Sequence, residues 1–166
     1  EEDYCKMLNC LADNLDRICA IFCQIMFWLS MHFYNETLSF FNTRTDFVLD
    51  NFPLIWIKSD NIGILPDPSR GPRRIYETCF FGSRGDRKVV RSKSNAISLP
   101  SDRTIHMSVK PETMLKYFFE MFCDDSSIVL DPTCGSGGAL RAAESLGAAH
   151  VLGLEINPEF AELAST

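Results

Sequence analysis

Residues Ser127-Ile-Val-Leu-Asp-Pro-Thr-Cys-Gly-Ser-Gly-Gly138 decide the fold of this chain. Their first five residues predict a short buried strand that ends on an acid, and the glycine-rich stretch after Asp131 predicts a tight turn. Residues 139–146 then predict a helix that Gly147 closes, and His150-Val-Leu-Gly-Leu-Glu155 predicts the next strand. A strand, a helix and a strand in this order form a β-α-β unit, which indicates a parallel sheet with a right-handed crossover.

The turn and the two strand ends predict a site for a nucleotide-like cofactor. Gly135 and Gly137 allow the backbone to pass close to a ligand at the carboxyl edge of the sheet. Glu155 ends the second strand, where it can accept hydrogen bonds from ribose hydroxyls. Asp131 would repel the diphosphate of a dinucleotide, but it would favour a cation. The charges therefore favour S-adenosylmethionine, which carries a sulfonium and an ammonium group, over NAD.

Periodicity and turn residues predict the elements upstream. Apolar residues at three- and four-residue intervals predict helices over residues 3–19 and 33–42, and Pro111 opens another one. Apolar runs predict strands over residues 21–29, 53–58 and 75–81, the first of them buried on both faces. The glycines and prolines of residues 62–74 predict a loop, and we expect irregular structure up to residue 103.

Bulk composition limits the class of protein. The chain has 166 residues, of which 46% are hydrophobic, so it is long enough for one domain with a real core. The longest apolar run, around residues 18–29, is too short and too mixed to span a bilayer, and no signal peptide opens the chain. Seven cysteines without a CxxC pair indicate reduced, buried thiols in a cytoplasmic protein. We predict no disulfide framework and no metal site.

A basic segment stands out in an acidic protein. The net charge is −6, yet residues 70–93 contain eight basic and two acidic residues. Phosphate backbones respond to such local fields more than to the net charge, so the segment is a candidate for DNA contact. A solvated basic loop is an equally good explanation of the charge alone. The candidate contacts are Arg70, Arg73, Arg74, Arg84, Arg87 and Lys88.

Several stretches together resemble the β-class DNA methyltransferases, which methylate N6 of adenine or N4 of cytosine. Asp131-Pro-Thr-Cys-Gly-Ser-Gly137 is similar to their DPFxGSG cofactor loop, and residues 153–160 (GLEINPEF) to their second motif. Further similar stretches are His106 to Pro111 (HMSVKP), 54–58 (LIWIK), 74–77 (RIYE) and 82–88 (GSRGDRK). The resemblance extends from Phe52 onward, and the late position of the cofactor loop matches this permuted class.

The resemblance implies a set of cofactor-binding residues. Glu155 would hold the ribose of S-adenosylmethionine, while Ile156 and Asn157 would border its adenine. His106, Ser108 and Lys110, followed by Pro111, would lie near the methionine end. The alternatives are an ordinary loop histidine for His106 and a surface lysine before a helix-opening proline for Lys110. Cys134 would pack without a nucleophilic role. The residues lining the pocket at the turn would be Asp131, Pro132, Thr133, Cys134, Gly135, Ser136 and Gly137.

The sequence departs from the family in one respect. Family members transfer the methyl group with a D/N/S-P-P-aromatic tetrapeptide, whose polar side chain and proline carbonyl hold the amine of a flipped base. No such tetrapeptide occurs here, and Asp67-Pro-Ser-Arg70 lacks the second proline and the aromatic residue. The motif order would place it just before Glu1, so we expect a chain truncated at its N-terminus or a degenerate relative. We assign no catalytic residue.

The resemblance implies an α/β Rossmann-like methyltransferase fold, a mostly parallel sheet with helices on both faces and a permuted motif order. We expect a single domain over residues 1–166, with part of a catalytic subregion (1–58), a loop-rich basic DNA-contact segment (59–105) and a cofactor-binding subregion (106–166). The implied activity is methyl transfer from S-adenosylmethionine to duplex DNA with the target base flipped out, by a homodimer. An inactive cofactor- or DNA-binding fragment and an RNA methyltransferase remain alternatives.

Overall fold

The computed structural model describes residues 2–65, 67–102 and 109–165. Helices and strands alternate in the N-terminal and C-terminal parts of these residues, and four consecutive strands lie between the two parts. The helices are α1 (Glu2–Ile18), a 3₁₀ turn (Met31–Phe33), α2 (Tyr34–Arg44), α3 (Glu112–Phe119), α4 (Gly138–Ser145) and α5 (Pro158–Ala164). The strands are β1 (Cys23–Leu29), β2 (Val48–Leu49), β3 (Leu54–Lys58), β4 (Tyr76–Arg84), β5 (Ala96–Leu99), β6 (Ile128–Asp131) and β7 (His150–Gly153).

The chain divides into two compact units. The first comprises Glu1–Ile55 and Glu77–Lys88, and the second comprises Trp56–Tyr76 and Val89–Thr166. This division does not test the single domain over residues 1–166 with its three subregions, which stays a prediction.

The first unit is built on antiparallel strand pairs. β1 pairs with β4 from Cys23 opposite Arg84 to Leu29 opposite Thr78, and the two residues of β2 extend the pairing of β4. The apolar stripe of α1 packs through Leu8 and Leu15 into a core with phenylalanines from α2 and the segment after it. The side chains of β1 are half-buried, so the expectation of a strand buried on both faces is wrong.

The second unit contains the predicted β-α-β unit. β6 and β7 are parallel, with Ile128 opposite His150 and Asp131 opposite Gly153. α4 connects them and packs against both strands as well as against α3. A Cβ atom on Gly153 would lie 2.5 Å from Leu140 Cδ1 of α4, so the absence of a side chain lets α4 pack closely on β7.

Most predicted elements are confirmed within a few residues of their ends. The irregular structure expected up to residue 103 is wrong at Ala96–Leu99, which forms β5 beside β3. Trp56 of β3 is 1% exposed, and its Nε1 donates a hydrogen bond to the Leu99 carbonyl at 2.9 Å. The expectation of buried cysteines is only partly correct, because Cys5 and Cys10 are exposed on α1. Among the described residues, no helix is long and apolar enough to cross a membrane.

Candidate cofactor site

The turn between β6 and α4 is shaped by glycines in the left-handed backbone region. Gly135 has φ +53° and Gly137, which caps α4, has φ +83°. The N–H of Gly137 donates to the Cys134 carbonyl at 2.9 Å, which closes the turn. A Cβ atom on Gly135 would meet nothing within 4 Å, so there is open space beside this residue. The turn therefore offers a bare backbone to a ligand, as predicted from the sequence.

The two acids of the predicted site end adjacent strands. Asp131 is the last residue of β6, and its Oδ1 accepts the backbone N–H of Thr133 at 3.0 Å. Glu155 lies two residues beyond β7, and its carboxylate accepts two backbone hydrogen bonds. Its Oε2 accepts the N–H of Gly135 at 2.9 Å, and its Oε1 accepts the N–H of Asn157 at 2.8 Å. Both acids therefore bind the backbone that surrounds the turn.

Backbone hydrogen bonds hold these segments in register. The N–H of Leu154 donates to the Asp131 carbonyl at 2.9 Å, and the N–H of Cys134 donates to the Leu154 carbonyl at 3.0 Å. Cys134 itself is buried, and a Cβ atom on Gly153 would lie 2.7 Å from its sulfur. This position agrees with the packing role predicted for Cys134.

The pKa values of the two carboxyl groups are shifted in opposite directions. Burial raises the pKa of Asp131, and the nearby Glu155 carboxylate raises it further, whereas the Thr133 donors and the charge of Lys110 oppose the shift. The N–H of Asn157 and then the N–H of Gly135 lower the pKa of Glu155, so its charged form is favoured. A cation bound beside Asp131 would offset the energetic cost of its buried charge.

The other described residues predicted to bind the cofactor have different surroundings. Lys110 precedes Pro111, whose carbonyl accepts the N–H groups of Met114 and Leu115 in α3, and the Lys110 carbonyl is 3.6 Å from the Cβ position of Gly138. Ile156 is 99% exposed beside Glu155. The side chain of Asn157 accepts the N–H of Glu159 at 2.9 Å and caps α5. His106 and Ser108 lie outside the described residues. Exposed at the turn are Pro132 and Thr133, whereas Ser136 is buried.

The sequence does not predict one further residue that supports the turn. Arg141 of α4 donates from Nη1 to the Ser136 carbonyl at 2.7 Å and pairs through Nε with the Glu112 carboxylate of α3 at 3.2 Å. It thereby ties the turn to the start of the neighbouring helix. The available signal is a single arginine in an alanine-rich helix, four residues after the Gly137 cap.

The six basic residues predicted to contact DNA have different surroundings. Arg70, Arg73 and Arg74 are exposed and belong to the second unit. Arg84 belongs to the first unit, where its side chain is 20% exposed and pairs with Asp16 at 3.0 Å and Asp46 at 3.4 Å. Arg87 is half-buried, and Lys88 is exposed and pairs with Asp86 at 2.7 Å. The two ion pairs favour a structural role for Arg84, while the DNA contacts stay a prediction.

Solved structures of DNA methyltransferases share this fold. M1.HpyAVI, crystallised with S-adenosylmethionine, matches with a TM-score of 0.82 and 18% identity over 99% of this chain and 83% of its own. TTHA0409 from Thermus thermophilus, complexed with S-adenosyl-L-methionine, matches with a TM-score of 0.70 and 18% identity over 98% and 76% of the two chains. The cytosine-N4-specific PvuII DNA methyltransferase matches with a TM-score of 0.63 and 14% identity over 87% of this chain and 62% of its own. The predicted Rossmann-like methyltransferase fold is therefore confirmed.

The sequence also matches a family directly. The DNA methylase family, whose members methylate N6 of adenine or N4 of cytosine, matches residues 55–166. The comparison with curated protein sequences found no match. Because the family match covers more than half of the chain, this protein belongs to the DNA methylase family, and the predicted family is confirmed. Its substrate is therefore DNA, and its reaction is methylation of an exocyclic amine.

Proposed function

We propose that this chain binds S-adenosylmethionine at the turn between β6 and α4 and methylates the exocyclic amine of adenine or cytosine in duplex DNA. The observation that carries the proposal is the pair of carboxylates, Asp131 and Glu155, at the ends of two adjacent parallel strands. An open left-handed turn at Gly135 lies between them. This arrangement suits a cationic nucleoside better than a diphosphate, which both acids would repel.

The family and the fold support the choice of cofactor. M1.HpyAVI and TTHA0409 were both solved with S-adenosylmethionine, and both share the fold of this chain. When bound, S-adenosylmethionine would supply an electrophilic methyl group. The amine nitrogen would form the new N–C bond as the S–C bond breaks, which would leave S-adenosylhomocysteine, and the amine proton would pass to solvent. The contribution of the protein is then mostly positioning, with both reactants held in line.

Each residue of the site has a role in this proposal. Asp131 and Lys110, followed by Pro111, lie near the charged methionine end. His106 and Ser108, outside the described residues, stay predicted contacts of the same part of the cofactor. Glu155 binds the ribose hydroxyls, because each of its oxygens keeps a lone pair after it accepts one backbone N–H. Ile156 and Asn157 border the adenine. The pocket wall consists of the turn residues Pro132, Thr133, Cys134, Gly135, Ser136 and Gly137.

DNA is bound in this proposal through basic side chains of residues 70–88, with the target base flipped out of the duplex. Arg70, Arg73 and Arg74 contact phosphates, and Arg87 and Lys88 form a second candidate group. Arg84 contributes to the fold of the first unit through its two ion pairs. The homodimer stays a prediction, and so do the cytoplasmic location and the three subregions of the chain.

A second candidate is a chain that binds cofactor and DNA without transferring the methyl group. The observation that favours it is the absence of a D/N/S-P-P-aromatic tetrapeptide from all 166 residues. In this case these residues bind cofactor and DNA, and the groups that hold the amine in the family are not among them.

The experiment is titration calorimetry with S-adenosylmethionine, followed by transfer of a labelled methyl group to duplex DNA and to duplex RNA. We expect binding that Asp131→Ala and Glu155→Ala both weaken, and transfer to DNA. No heat with folded protein, or equal affinity in all three proteins, would contradict the cofactor site. Binding without transfer to either polymer supports the second candidate, and transfer to RNA alone would replace DNA by RNA as the substrate.

A further inference from the structure

A loop of the second unit, here called the arch, has its two ends hydrogen-bonded to each other and carries three of the predicted DNA-contact residues. We define the arch as residues 64–74, of which Pro66 lies outside the described residues. Ile64 and Arg74 form an antiparallel bridge: the N–H of Ile64 donates to the Arg74 carbonyl at 3.2 Å, and the N–H of Arg74 donates to the Ile64 carbonyl at 2.8 Å. Both ends of the arch are therefore fixed to each other.

The described part of the arch is ordered by its own polar groups. Asp67 Oδ1 accepts the N–H and the hydroxyl of Ser69 at 2.9 and 2.7 Å, and the Asp67 carbonyl accepts the N–H groups of Arg70 and Gly71 at 3.1 Å. Arg73 Nη1 donates to the Gly63 carbonyl at 3.4 Å. An element held in this way needs little ordering when it binds a partner, which lowers the entropic cost of binding.

Charge and apolar surface occur together on the arch. It contains three arginines and one acid, and Arg70 remains 86% exposed although its Nε lies 3.3 Å from Asp67. Because bridge partners project from the same face, the side chain of Ile64 lies beside that of Arg74. Ile64 is 68% exposed and Leu65 is 38% exposed. Isolated exposed isoleucines are common, but the backbone of this one is fixed opposite Arg74 by two hydrogen bonds.

The arch follows β3 closely in the chain and belongs to the same unit as the turn between β6 and α4. It begins a few residues after Lys58, the last residue of β3. Asn61, between β3 and the arch, has φ +56° and turns the chain at this point.

We propose that Ile64 is an apolar wedge that enters the DNA base stack at the position vacated by the flipped base, while the arginines of the arch bind the flanking phosphates. This inference deepens the proposed function and rests on it. Removal of a base from the stack leaves a gap with no partner surface, and an apolar side chain inserted there restores contact with the neighbouring bases. Arg74, beside Ile64, is positioned for the adjoining phosphate.

The test uses two labelled duplexes of identical sequence, one intact and one with a single abasic site, and measures their affinities by fluorescence anisotropy. An abasic site supplies the gap in advance. We therefore expect the unmodified protein to bind the abasic duplex at least about fivefold more tightly. Ile64→Ala should reduce this preference to less than twofold with little change for the intact duplex. Arg74→Ala should weaken binding to both duplexes equally and lower the salt dependence by about one ion.

The matched control is Ile128→Ala, which removes an isoleucine of similar exposure, 75%, from the start of β6. Its preference should equal that of the unmodified protein. Three results would each overturn the wedge. They are an unchanged preference of Ile64→Ala for the abasic duplex, an equal loss of this preference in Ile128→Ala, and no such preference in the unmodified protein. Tighter binding of the same sequence as duplex RNA would overturn the choice of DNA. Cofactor binding is measured in parallel, so failure of the wedge with normal S-adenosylmethionine affinity leaves the proposed function intact.

Discussion

The carboxylate of Glu155 accepts the backbone N–H of Gly135 at 2.9 Å, which joins the acid after β7 to the turn after β6. The second oxygen of the same carboxylate accepts the N–H of Asn157 at 2.8 Å. Glu155 therefore helps to hold the turn in place, and it is also the proposed ligand of the ribose. The two roles are compatible, since a carboxylate has about four acceptor positions.

We expect Glu155→Gln to weaken S-adenosylmethionine binding less than Glu155→Ala does. The amide of Gln keeps one acceptor oxygen, so one of the two backbone hydrogen bonds survives, whereas Ala loses both together with the ribose contact. Roughly tenfold weaker binding is expected for Gln and a larger loss for Ala. Titration calorimetry measures both affinities. Equal losses in the two variants would show that the acceptor geometry of residue 155 is irrelevant.

We expect the affinity for S-adenosylmethionine to fall as the pH is lowered through the pKa of Asp131. Burial raises this pKa in the free protein, so the carboxylate that attracts the cationic ligand is lost at a higher pH than for an ordinary aspartate. The lowered pKa of Glu155 keeps that group ionised over the same range. Calorimetry between about pH 7 and pH 4.5 should show the fall, and Asp131→Asn should show a flat profile at weaker affinity. A fall of the same size in Asp131→Asn would assign the titration to another group.

The pKa shifts of Asp131 and Glu155 also make the free energy of unfolding depend on pH. A carboxyl group whose pKa is higher in the folded than in the unfolded state binds its proton more readily when folded. The contribution of Asp131 to stability therefore increases as the pH falls through its folded pKa, whereas the contribution of Glu155 is present above its unfolded pKa and decreases as the pH falls through its folded pKa. We therefore expect low pH to weaken cofactor binding, while protonation of Asp131 removes the free-energy cost of its buried charge.

The sequence predicts the local elements of the site well and its long-range contacts poorly. β6, α4 and β7 are readable because apolar periodicity and glycine punctuation are local signals. β5, at Ala96–Leu99, is not readable, because a four-residue strand in a polar stretch depends on partners such as Trp56, 43 residues away.

Side-chain partners are likewise invisible in the sequence. The contact of Glu155 with Gly135 spans 20 residues and depends on one rotamer, so the sequence gives the acid without its hydrogen bonds. Charge counting fails at Arg84 for the same reason. The basic segment contains this arginine, but its acidic partners come from α1 and from the segment after α2. Local excess charge therefore overestimates the number of side chains that face a phosphate.

We expect Arg84→Ala to lower stability without lowering DNA affinity. The Arg84 guanidinium is mostly buried between Asp16 and Asp46, and its loss leaves two carboxylates close together without a counter-ion. Because both acids are largely exposed, the cost is about 1 kcal/mol, or a fall in melting temperature of roughly 2–4 °C. The control is Lys88→Ala, whose side chain is 80% exposed and should leave the melting temperature unchanged. A selective loss of DNA affinity in Arg84→Ala would restore this residue to the phosphate-binding set.

Two glycines of the second unit offer a test of whether the geometry of the arch matters for DNA binding. A Cβ atom on Gly63 would collide with the carbonyl oxygen of Arg74 and lie 3.2 Å from the Cα of Ile75, so Gly63→Ala must displace the backbone that closes the arch. Gly71, at the far side of the arch, has open space at its Cβ position and serves as the matched control.

Gly63→Ala should therefore weaken binding to the intact duplex roughly tenfold, because three arginines move away from the phosphates together. Gly71→Ala should bind as the unmodified protein does, and both variants should keep their affinity for S-adenosylmethionine because the turn at Gly135 is unchanged. Fluorescence anisotropy and calorimetry on the same samples give the two affinities. Equal DNA binding by the two variants would mean that the exposed arginines act as a diffuse charge, since a fixed arrangement of contacts cannot tolerate displacement of its closing bridge.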